Sequence, residues 1–137
     1  MHGLWIRLAL ATLASGLAAS ATDWLFMGAD ALYLRYDSHP EIWRYPRGKG
    51  EATAIVWASI LPFVTCAVFC LLCAGLHLTA LRITLMLALA CWLIGPLPLV
   101  VTNALFIKFP PMIAAAHACG WLVKLALAAI AVALFVR

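Results

Sequence analysis

Four apolar runs, at about 4–30, 52–76, 81–107 and 111–136, constrain this chain more than any other feature. Each is nearly free of charge and spans the ~20 helical residues needed to cross a bilayer. They are too long for strands, and they lack the apolar–polar alternation of a closed membrane barrel. Hydrophobic residues make up 67% of the 137 and charged residues only 10%. Such an excess cannot be buried in a water-soluble core of this size, so lipid must cover it. The runs predict an all-α fold, an integral membrane four-helix bundle forming one domain.

The connections predict how the spans follow one another. "HLTA" and "KFP" are short enough to make antiparallel up-down hairpins of the second, third and fourth spans. The first connection, a polar loop at 31–51, is longer and carries Arg35, Arg44, Arg47 and Lys49. Ser38 and Pro40 suit the start of a short helical piece within it, and the rest reads as a surface loop or a lip over the bundle. Pro62 is expected to interrupt the second span, and "GPLP" at 95–98 to kink the third. Small residues in "ASGLAAS" (14–20) and "AAAHACG" (114–120) have the spacing of close helix contacts. The first and fourth spans should meet there, or one of these faces should form a homodimer. "MHGLWIR" followed by "LALATLASGLAASA" also imitates a signal peptide, with Ala19, Ser20 and Ala21 as an A-x-A site; the segment is counted here as the first helix.

Basic residues bear on orientation. The side holding both termini carries Arg7, Arg82 and Arg137, and the opposite side carries the loop cluster and Lys108. The positive-inside rule leans toward a cytoplasmic loop 31–51, although the basic N terminus pulls the other way. The net charge of +4 is a juxtamembrane feature that meets lipid headgroups, and no nucleic-acid partner is implied. Trp24, Tyr33, Tyr36, Trp43, Tyr45 and Trp57 gather toward the loop side and Trp5 toward the other, as an interfacial belt does.

Polar residues inside spans are costly and usually face a bundle interior or a cavity. Counting ~1.5 Å per residue along unbroken helices brings Asp23, Asn103 and His117 to one depth near the loop side, with Trp24 and Trp57 nearby. A carboxylate beside an imidazole can fix its tautomer, hold a proton or share a metal. The plainer reading is interhelical hydrogen bonding. Asp30, two turns beyond Asp23, reads as the polar margin of the first helix. Lys124, near the middle of the fourth span, should snorkel or pair with Asp23. Trp43 and Arg44 are the loop candidates for a binding mouth.

Five cysteines lie in apolar runs without disulfide spacing. Cys66, Cys70, Cys73 and His77 recur on one helix face, and Cys70-Leu-Leu-Cys73 is a C-x-x-C. Such a stripe suits a soft metal or thiol redox chemistry, or plain packing.

The chain resembles a family of small four-helix bacterial membrane proteins known only as a domain of unknown function. The resemblance lies in "DWLFMG" (23–28), the Trp43 loop, "ACWLIGPLPLVVTNALF" (90–106) and Gly120-Trp121. It implies four helices and no particular activity, and a bacterial inner membrane is the expected setting. A binding, accessory or structural membrane bundle is therefore the leading expectation, with lipid and a homodimer or larger membrane complex as partners and no cofactor. The alternatives are a proton- or ion-coupled transporter using Asp23 and His117, and a thiol or metal protein using the cysteine stripe. Nothing in the spacing demands an enzyme.

Overall fold

The computed structural model describes residues 2–28, 51–108 and 110–136. The chain forms α1 (His2–Asp23), a π-helical turn (Trp24–Gly28), α2 (Glu51–Gly75), α3 (Leu81–Ile94), α4 (Pro96–Phe106) and α5 (Pro111–Phe135). Among the described residues there is no strand. Among the described residues, four helical spans, with α3 and α4 counted as one, are long and apolar enough to cross a membrane. The chain is therefore compatible with a small membrane protein.

Several boundaries differ from the sequence reading. The first α-helix stops at Asp23, where the backbone widens into the π turn. The expected remainder of that helix at 29–30, the loop, its short helical piece and the Trp43 lip lie outside the described residues. Pro62 does not interrupt the second span: it is fully buried within a continuous α2. Its missing N–H removes the i+4 donor from the Ala58 carbonyl, a local loss that neighbouring helices can tolerate. The third span is divided. Gly95, at φ −119° and ψ −87°, ends α3, and Pro96 opens α4, where its fixed φ and absent donor fit a first helical turn.

α5 organises the packing. It touches α1, α2, α3, α4 and the π turn, whereas α2 packs on α1 and α5 and scarcely on α3 or α4. The bundle thus has an open seam between α2 and the α3–α4 span. Small side chains allow α1 and α5 their close approach: Ala11, Ser15 and Ala19 are buried on α1, and Ala116, Gly120, Ala128 and Ala129 on α5. Gly16 serves a different neighbour, because a Cβ there would meet the Phe63 ring of α2, with two ring carbons at 2.8 Å.

Polar side chains supplement this packing. Thr84 on α3 donates to the Ala129 carbonyl on α5 at 3.2 Å, and the Trp92 indole donates to the Ala118 carbonyl at 2.8 Å. The outer faces of the described helices are largely apolar, with Ile94, Leu105 and Phe106 each more than three-quarters exposed. Water would oppose such a surface, whereas hydrocarbon matches it.

α2 ends in a tight turn. The amide of His77 donates to the Ala74 carbonyl at 3.1 Å, and that of Leu78 to the Cys73 carbonyl at 2.8 Å. This is the Schellman arrangement, with His77 at φ 55° in the place glycine usually takes.

Candidate functional site

The junction of α1 and the π turn sets the site. Asp23 is the last α-helical residue, and such widened turns often accompany functional positions because they re-aim side chains. Across from it, His117, Gly120, Trp121 and Lys124 recur at spacings of three and four along α5, which places them on one stripe. Lys124 Nζ donates to Asp23 Oδ2 at 2.7 Å, and the two side chains retain 12% and 26% exposure, respectively. The same ammonium lies 4.6 Å from the centre of the Trp121 ring, within the reach of a cation–π attraction. Gly120 makes room for the carboxylate: a Cβ there would stand 3.5 Å from Asp23 Oδ1.

The pair forms the polar part of a cavity of about 870 Å³. Its walls come from the end of α1 and the π turn, from α2, from Cys91 of α3, and from α5. They are overwhelmingly apolar, with Phe26, Pro62, Phe69 and Leu125 among them. Ser20, Ser59, Thr65 and His117 supply further polar groups. Ser20 Oγ donates to the Ser59 carbonyl at 3.4 Å, linking α1 to α2 on this wall. Val64, Val68 and Leu72 line the cavity from α2 yet remain 41–60% exposed, so the cavity opens sideways through the bundle wall. An apolar volume of this size with a few convergent polar groups has the character of a small-molecule site.

Among the sequence candidates, Asp23, Trp24, His117 and Lys124 line this cavity. Asn103 does not. It is half-buried on α4, where its carbonyl accepts from the Ile107 amide at 2.8 Å. The depth count to Asn103 assumed an unbroken helix from Arg82, and Gly95 divides that helix. Trp57, 58% exposed on α2, is not among the lining residues either. Trp43 and Arg44 lie outside the described residues.

The cysteine stripe occupies different ground. Cys66, Cys70 and Cys73 are fully buried in the core cluster with Leu8 and Ala11 of α1. His77 departs from their line because α2 ends at Gly75, and it is exposed in the turn. Among the described residues, no group of three or more His, Cys, Asp or Glu side chains is arranged to hold a metal.

The residues that sequence reasoning missed are the small and aromatic ones: Ser20, Ser59, Thr65, Gly120 and Trp121. Trp121 had a usable signal in its spacing of three from Lys124. The serines and threonine had none, since such residues commonly bond their own helix, as Thr65 does to the Leu61 carbonyl at 3.1 Å. Comparison of the chain with protein-family models, curated proteins and solved structures finds no match.

Proposed function

We propose that this protein is a membrane-embedded binding bundle that takes a hydrophobic small molecule from the bilayer into the cavity beside Asp23 and Lys124. The observation that carries this reading is the junction of an apolar cavity of about 870 Å³ with a largely buried ion pair. A bundle needing only stability gains little from such a pair over well-packed apolar residues. A volume lined by apolar side chains and open to the side admits a ligand that already resides in lipid. The spans alternate in direction in this reading, and the break at Gly95 bends the third. The setting is a bacterial inner membrane with loop 31–51 toward the cytoplasm, as its basic residues favour. The likeness to the uncharacterised four-helix family adds an architecture and no activity.

Native mass spectrometry of the detergent-purified protein tests the binding reading. A bound non-protein mass, extractable into organic solvent, is expected on the wild type. Thr65→Trp, which fills the cavity from the α2 wall, should abolish that mass while the protein stays folded. Wild-type protein and Thr65→Trp carrying equal masses would count against the cavity as the site.

A further inference from the structure

The electrostatics of the cavity restrict what its occupant can be, given the binding reading above. Among the described lining residues one acid and one permanently basic side chain occur, Asp23 and Lys124, and they are paired with each other. His117 adds an imidazole, a hydrogen-bonding group without a permanent charge. The polar end is thus close to zero net charge. An anionic head entering it would compete with Asp23 for Lys124 and leave an excess negative charge in an apolar surround. A cationic head would leave an excess positive one. Either excess is strongly opposed where water is scarce.

The remaining hydrogen-bonding capacity is also specific. Lys124 has three N–H donors: one is directed at Asp23 Oδ2 at 2.7 Å, and the ring of Trp121 receives part of the remaining charge at 4.6 Å. A carboxylate accepts at both oxygens, and Asp23 Oδ1 is the one standing over Gly120. The cavity therefore offers acceptors as well as a donor. A carbonyl head could use only the donor. A hydroxyl uses both, accepting from the ammonium while donating to the carboxylate.

We propose that the ligand is a neutral lipid whose polar end is a hydroxyl group, held between Asp23 and Lys124, with its hydrocarbon part against the aromatic and aliphatic walls. The tail leaves past Val64, Val68 and Leu72, where the wall is open. Binding adds hydrogen bonds to the ion pair without adding charge. This explains why an ion pair, rather than a lone charged residue, marks the end of the cavity.

Quenching of tryptophan fluorescence by dibrominated stearyl alcohol, stearic acid and stearylamine tests the inference, because Trp24 and Trp121 line the cavity. The titrations use the full chain in mild detergent at pH ~8, where the free acid and amine are both charged. The wild type should bind the alcohol about tenfold more tightly than either charged compound. Asp23→Asn, which leaves Lys124 in excess, should move the preference to the acid. Lys124→Gln should move it to the amine, and Asp23→Asn with Lys124→Gln should return it to the alcohol. This double variant guards against loss of folding in the singles.

A wild type that prefers the acid or the amine overturns the neutral-head inference and leaves the binding reading intact. Unchanged preferences across the variants overturn it as well. Quenching by all three compounds no greater than in Thr65→Phe, which narrows the cavity from the same wall without adding a tryptophan, defeats the binding reading itself.

Discussion

An ammonium in the apolar interior of a helix bundle is tolerated only when a partner is held beside it. Lys124 has Asp23, from a position 101 residues away in the chain. Removing either charge leaves the other without its counterion. Asp23→Asn and Lys124→Gln should each destabilise the protein by about 2 kcal/mol. This falls below the roughly 3–5 kcal/mol of a wholly buried pair because Asp23 retains 26% exposure. The double substitution should recover most of that loss, and thermal unfolding of all four proteins in one detergent measures the coupling. His77 is a second residue under local constraint. Its φ of 55° is costly for a side chain with a Cβ, so His77→Gly should stabilise by on the order of 0.5–1 kcal/mol, read from the same unfolding curves. The sequence nominated Asp23 as a partner for Lys124 because an unpaired ammonium in the middle of a span is costly. It placed His77 on the cysteine face by extending the helical spacing of Cys66, Cys70 and Cys73 one step past the end of the second apolar run, where the turn after Gly75 carries it away.

Between helices, shape decides which small residue meets which neighbour. Gly16 accommodates Phe63 of α2, so Gly16→Leu should separate α1 from α2 and lower the unfolding midpoint. Adding Phe63→Ala should restore part of it, since the ring is the obstacle. The fully buried Cys66, Cys70 and Cys73 are packing residues of the α1–α2 contact. In folded protein they should resist a membrane-permeant maleimide, whereas the exposed Cys119 should react. Denaturation should make all of them reactive, and mass spectrometry counts the adducts. The four spans were legible because long apolar runs admit no other structure in lipid. The small-residue stretches were legible as contact faces, but spacing alone cannot separate a face that meets α5 from one that admits a ring of α2.

Across the molecule, α5 is the common neighbour and the most buried of the spans. Ala128→Trp, at a fully buried position of α5, should overpack the contacts of several helices and prevent assembly of stable protein. Leu105→Ala on α4, 77% exposed, should leave stability within about 0.5 kcal/mol of wild type. Size-exclusion profiles and unfolding curves distinguish the two. Four membrane-competent helices, their order and their approximate ends follow from composition and apolar run length, since the bilayer thickness and the helical rise are both set by general physics. The identity of the site's members does not follow. Whether Asn103 or Lys124 stands beside Asp23 depends on the break at Gly95, the π turn after Asp23 and the side on which α2 parts from α3–α4. Those are three-dimensional packing outcomes among side chains of similar hydrophobicity, and a one-dimensional pattern carries no term that distinguishes them.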